Sequence, residues 1–155
     1  MWYKDLSECD YLKKYFSVNL TAIGWLEKGE PYNTGKIQNE VYQKLCQFNK
    51  IPYCFTVACG FHYCDYCKKI DEPWGSSDKW GKANLTIPHK GKLYHYPEMI
   101  THYIKEHSYL PPKEFCEAVL ACPPMHSDEY WNKVIKNGGK KLFNSWRTWK
   151  EFLGK

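Results

Sequence analysis

The chain contains no run of 18 apolar residues, so it offers no segment for a membrane-crossing helix. Its opening stretch, "MWYKDLSECDYLKKYF", carries charges where a secretion signal would place its apolar region, and a soluble, cytoplasmic protein without a membrane partner is expected. The H-E-x-x-H pattern of zinc proteases is missing, and so is the H-x-E with P-C-x-x-C pattern of zinc deaminases. A strong excess of one charge is also lacking. With 22 Lys and Arg against 17 Asp and Glu the net charge is +5, a mild bias well short of the basic footprint of a dedicated nucleic-acid binder. An acidic partner is permitted by this charge and not required by it.

What is present is aromatic and sulfur-rich. Tyr (13) and Trp (7) dominate an aromatic share of 17%, residues that suit both the core of a small domain and a partner surface. Eight cysteines in a reducing compartment read as thiols or metal ligands rather than a disulfide framework. At 155 residues the chain is long enough to bury a modest core without a metal.

The pattern along the chain predicts an α+β fold. Ile37, Val41, Leu45 and Phe48 recur at helical spacing and form a core stripe. "ANLTIP" and "KLYHY" flank a Lys90-Gly91 turn and predict a β-hairpin. "PEMITHYIKEHSYLPP" reads as a helix, with Pro97 in its first turn, Glu98 at the positive end of its dipole, and Pro111-Pro112 ending it. A further helix between proline pairs turns Phe115, Val119 and Leu120 inward. Ser127 is placed to cap another, which Gly138 or Gly139 would close. Residues 1–135 are expected to form one globular zinc-binding domain, and residues 136–155 a basic, aromatic C-terminal tail or helix.

The chemistry concentrates in "CGFHYCDYCKK", residues 59–69. Cys64-x-x-Cys67 is a metal knuckle, which supplies half of a tetrahedral site. The other half is sought in His102 and His107 on the predicted helix. Knuckle, hairpin and helix with H-x4-H follow the ligand order of a ββα zinc finger, although 34 residues separate Cys67 from His102 where a compact finger has about 12. On a regular helix residues five apart lie about 140° apart. Both rings therefore reach one ion only if His107 sits at a loosened helix end. His62 stays open as a substitute ligand. Cys9, Cys46, Cys54, Cys116 and Cys122 are scattered and read as small buried hydrophobes, and His89, His95 and His126 as ordinary histidines.

The segments "YKDLSECDYL", "AIGWLEKGEPYNTGKI", "GFHYCDYC" and "IPHKGKLYHYPEMITHYIKEHSYLPPKEFCEAVLACPPM" resemble an uncharacterised bacterial protein family. Its members carry a G-F-H-x-C-x-x-C knuckle and an H-Y-I-x-x-H-x-Y-x-P-P-x-x-F segment. Here the motif falls on Gly60, Phe61, His62, Cys64 and Cys67, then His102, Tyr103, His107, Tyr109, Pro111, Pro112 and Phe115. The likeness spans about residues 3–135. It implies a bacterial source and one Cys/His constellation that keeps His62 in contention, and it implies no reaction. Cys59 departs from the pattern and reads as a core thiol.

Three functions are weighed. The first is a binding domain stabilised by one structural Zn2+ per chain, with a protein partner. The second is a zinc-finger-like nucleic-acid binder using Lys140, Lys141, Trp146, Arg147, Trp149 and Lys150 of the tail to neutralise phosphates and stack on bases. The third is a zinc-dependent hydrolase, for which Glu98 and Glu106 are nearby carboxylates but no catalytic motif exists. No catalytic residue is assigned.

Overall fold

The computed structural model describes residues 1–13, 16–55, 62–67 and 80–144. Its elements run β1 (Glu8–Cys9), β2 (Leu20–Ala22), α1 (Asn39–Lys50), β3 (His62–Tyr63), β4 (Trp80–Gly81), β5 (Asn84–His89), β6 (Lys92–Pro97), α2 (Ile100–His107), α3 (Lys113–Ala121) and α4 (Asp128–Val134). The fold is mixed α+β. No helix among the described residues is long and apolar enough to cross a membrane.

The hairpin forms where the sequence places it. Asn84 to His89 pair antiparallel with Pro97 to Lys92, and the two-residue turn puts Lys90 (φ 45°) and Gly91 (φ 79°) in the left-handed region that such turns need. The hairpin is built into a larger sheet of order β1-β2-β6-β5, in which β2 runs parallel to β6 with Thr21 opposite Tyr94 and Ala22 opposite His95. β3 and β4 form a separate two-stranded pair.

The central strands are buried on both faces: Leu85, Ile87, Tyr94 and Tyr96 share the face that meets α3, and Thr86, Leu93 and His95 lie on the other, where Tyr11 and Trp25 stack against His95. Leu85, Ile87, Leu93, Tyr94 and Tyr96 are all buried. From α3, Phe115 meets Tyr94 and Tyr96 edge to face, with ring centroids 5.8 and 5.4 Å away. Tyr130 of α4 donates to the carbonyl of Thr86 at 2.7 Å, satisfying a hydroxyl inside the core. Ser127 caps α4 by accepting from the Tyr130 amide at 3.1 Å. α1 buries Val41, Leu45 and Phe48 of the predicted stripe, while Ile37 precedes the helix and is half-buried, and Lys44 donates to the carbonyl of Leu120 at the end of α3.

Three further placements differ from the sequence reading. Pro97 belongs to the end of β6, because pairing persists to Asn84 and the Glu98 amide continues it to the Ala83 carbonyl at 2.9 Å; α2 starts at Ile100. Leu120 is half-buried, whereas Phe115 and Val119 are fully enclosed. Residues 135–144, which overlap the predicted tail, continue α4 through a widened turn broken at Asn137 and Gly138 into a 3-10 turn at Lys140–Asn144, and Leu142 and Phe143 are buried there. Phe143 packs edge to face on Phe55 at 5.2 Å. The apolar members of that segment thus belong to the core.

The N-terminal segment matters because it braces α2. Gly24, with φ +67°, lies so close to Ile100 that an added Cβ would stand 3.1 Å from its Cγ1. Its amide donates to the Asp5 carboxylate at 2.9 Å, and the buried Tyr109 hydroxyl donates to the same carboxylate at 2.9 Å. Burial raises the Asp5 pKa, with those two hydrogen bonds pulling the other way.

Candidate metal centre

α2 offers its two histidines from its interior and its last residue. His102 is buried among the core-facing residues of the helix, and His107 is the final helical position. Ser108 then adopts a left-handed conformation, φ 52°, and the Ser108 and Tyr109 amides both turn back to the carbonyl of Tyr103. The helix end the spacing requires is therefore present. Ring centroids of His102 and His107 stand 5.1 Å apart at 70°.

The knuckle reaches them from β3. A turn closed by the Cys67 amide on the Cys64 carbonyl at 3.3 Å holds the two thiols on one side. Cys64 Sγ lies 3.2 Å from His107 Nε2, while Cys67 Sγ lies 3.4 Å from His102 Nε2 and 3.5 Å from His107 Nε2. One ligand atom from each of Cys64, Cys67, His102 and His107 falls within 4.8 Å of all the others, an arrangement that can hold a metal ion.

Two physical arguments favour a central ion over a set of hydrogen bonds. A neutral imidazole nitrogen has one in-plane site, either a proton or a lone pair. His107 Nε2 nevertheless approaches both sulfurs. Zinc–sulfur and zinc–nitrogen bonds of about 2.3 and 2.05 Å at a tetrahedral angle put S and N about 3.6 Å apart. The observed contacts of 3.2–3.5 Å are close to that edge length. The second argument is electrostatic. Burial pushes the Cys64 thiol pKa up, the Cys67 sulfur adds to this, and the amides of Tyr66 and Cys67 oppose it. Burial thus favours the neutral thiol, a bound cation would reverse that preference and hold the sulfurs as thiolates, and the donor set of two sulfurs and two imidazoles suits zinc chemistry.

His62 stands outside the cluster. Its Nε2 lies 3.3 Å from the Tyr103 hydroxyl, and burial lowers its pKa. It supports the ligand-bearing helix without joining the four ligand atoms.

The surround is aromatic. Tyr66, inside the knuckle, covers His107 at 5.1 Å, meets Tyr32 at 5.7 Å and donates to the Glu27 carbonyl at 2.7 Å. Tyr32 donates to the His107 carbonyl at 3.3 Å, and the chain pairs Thr34 with Tyr109. The centre thus joins knuckle, helix and the 27–35 loop. Sequence reading missed Tyr32 and Tyr66. The one signal available was the place of Tyr66 between two cysteines, while Tyr32 lies in a loop with no motif.

The remaining residues singled out by sequence lie elsewhere. Cys9, Cys46, Cys54, Cys116 and Cys122 are free thiols away from the cluster, and burial pushes Cys9 up to about 11 and Cys122 up to about 12. His95 is enclosed between Tyr11, Trp25 and Thr86, and burial lowers its pKa to about 4. His126 packs against Tyr53, and burial lowers the pKa of His89 at the end of β5. Lys140 and Lys141 are exposed on the 3-10 turn, whereas Cys59, Gly60, Phe61, Trp146, Arg147, Trp149 and Lys150 lie outside the described residues. The Glu98 carboxylate accepts from the Lys82 amide, and Glu106 pairs with Lys105.

Residues 1–120 match a family model described as a domain of unknown function (DUF7919), and the chain belongs to that family. No curated protein and no solved structure matches it.

Proposed function

We propose that the chain is a binding domain stapled by one Zn2+, held in a closed site by Cys64, Cys67, His102 and His107, with a protein as partner. The observation that carries this reading is the convergence of four ligand atoms, from a knuckle and a distant helix, within 4.8 Å. Four protein ligands complete a tetrahedron, as structural zinc sites do, whereas a hydrolytic zinc keeps a position open for water. The ion would fasten the knuckle to α2, in the ligand order of a finger, and contribute its binding free energy to folding.

A protein partner fits the surface better than a nucleic acid. In a finger the helix enters a groove with basic side chains. Here α2 turns Ile100, His102 and Tyr103 inward and exposes Lys105 and Glu106, which neutralise each other. On the knuckle side, Tyr63 is 51% exposed, an aromatic of the kind that anchors protein interfaces.

Elemental analysis of purified chain tests the site. About one zinc per chain is expected for the native sequence, with loss in Cys64→Ser, Cys67→Ser, His102→Ala and His107→Ala. Zinc retained at full stoichiometry in both histidine variants overturns the assignment. Salt-sensitive binding to generic DNA or RNA, with no protein captured, would replace the protein partner with a nucleic acid.

A further inference from the structure

The four ligands are not equally sheltered. Cys64 and His102 are 5% and 3% exposed, whereas Cys67 and His107 form a half-buried edge facing solvent. One thiol can therefore be reached from outside while its neighbour waits behind it. The turn closed between Cys64 and Cys67 keeps their backbones at a separation that a disulfide can span.

We propose that Cys67, with Cys64 as the resolving thiol, is an oxidation site through which a peroxide opens the metal centre and releases its ion. This rests on the metal-site reading above and concerns how that site is regulated. The Cys67 thiolate attacks one peroxide oxygen, the O–O bond breaks, and Cys67 becomes a sulfenic acid while the second oxygen leaves as water after taking a proton. The Cys64 thiolate then attacks the Cys67 sulfur, the S–O bond breaks, and hydroxide leaves as a second water with another proton. Two thiolates are oxidised by two electrons and one hydrogen peroxide is reduced to two waters. The new disulfide can no longer offer two thiolates, so the ion is left with His102 and His107 and departs.

Selectivity follows from the other cysteines. Cys9 and Cys122 are enclosed and held as neutral thiols by burial, which also raises Cys54 and Cys116. Cys46, half-buried on α1, lies outside the cluster, so among the described cysteines Cys67 is the half-buried thiol that the ion would hold as a thiolate. Release would free the knuckle from α2 and loosen the Tyr66 contacts to His107 and Glu27.

The test uses zinc-loaded full-length chain with a colorimetric zinc chelator, with and without hydrogen peroxide, followed by peptide mass mapping. Peroxide should accelerate zinc release by about tenfold or more over chelator alone. One Cys64–Cys67 disulfide should form per ion released, and dithiothreitol with added zinc should restore the metal. A Cys59→Ser variant, lacking the thiol nearest in sequence, should behave identically. Zinc that stays bound in peroxide, a disulfide to Cys59 instead, or sulfinic and sulfonic acids without a disulfide each overturn the switch and leave the metal reading standing. A chain that takes up no zinc overturns both.

Discussion

On one side of α2, two thiols and two imidazoles meet with one ligand atom of each within 4.8 Å of the others. Across the β5–β6 hairpin, Phe115, Tyr94 and Tyr96 meet edge to face, with Val119, Tyr130 and Trp131 equally enclosed. The second region buries side chains whose removal from water is favourable in itself, by about 1.5–3 kcal/mol for each large residue. The first gathers polar groups whose burial opposes folding unless something pairs them. The hairpin region therefore holds its own shape, whereas under the proposed reading the knuckle region would draw its stability from an ion. Among the described residues β3 is two residues long and pairs with the two-residue β4, a short ladder that contributes little to holding the knuckle.

The largest effect separates the two regions directly. Phe115→Ala removes the ring at the centre of the hairpin packing and is expected to destabilise by about 3–5 kcal/mol, measured by urea unfolding. The loss should be the same with zinc or with chelator, because the ring packs on Tyr94 and Tyr96 and is not one of the four ligands; a loss that differs between the two conditions would show the ring and the metal centre to be energetically coupled. Metal removal should act the opposite way. Zinc at a hundredfold excess over its dissociation constant stabilises by about 2.7 kcal/mol, and chelation should speed amide hydrogen exchange at 62–67, 102–110 and 27–35 while the hairpin amides stay protected.

A third prediction concerns pH and the core. His95 has its pKa lowered from 6.5 to about 4 by burial, so between those values the unfolded chain holds a proton that the folded chain does not. Its contribution to stability is fully present above pH 6.5 and is lost as pH falls towards 4, at no more than about 1.4 kcal/mol per pH unit. Unfolding measured against pH in parallel with His95→Gln should show this slope in the native chain and a shallower one in the variant. Equal slopes would mean that His95 reaches solvent on acidification.

These regions were not equally legible in the sequence. The helix stripe Val41-Leu45-Phe48, the Lys90-Gly91 turn and the Ser127 cap each follow from local rules that the structure obeys. The two thiols and two imidazoles could be paired on paper because ligand type and spacing restrict zinc more than packing restricts a core. What stayed hidden depends on contacts distant in sequence. β2 has only three residues and owes its place to parallel pairing with β6, more than 70 residues on. Pro97 looked like a helix start because local preference cannot show that Asn84 pairs with it. Leu142 and Phe143 lay in a segment whose basic composition masked two buried apolar residues, one of which, Phe143, packs on Phe55.

His62 gives the finest division between the regions, since it sits in the knuckle strand yet reaches Tyr103 on the buried face of α2. Were it a ligand in exchange with His102 or His107, replacing it would lower metal content or affinity. Its Nε2 instead shares a 3.3 Å contact with a tyrosine hydroxyl, a neutral pair whose net worth is about 0.5–1.5 kcal/mol. His62→Gln keeps a polar group near that hydroxyl, so the loss should fall at or below the lower bound. The expected outcome is an unchanged zinc count by elemental analysis and an unfolding midpoint close to that of the native chain. Tyr103→Phe should produce a similarly small change, and the double variant should cost less than the sum of the two, because each single change already breaks the same contact. Strict additivity would mean that the two side chains act separately and that His62 has another partner in the knuckle.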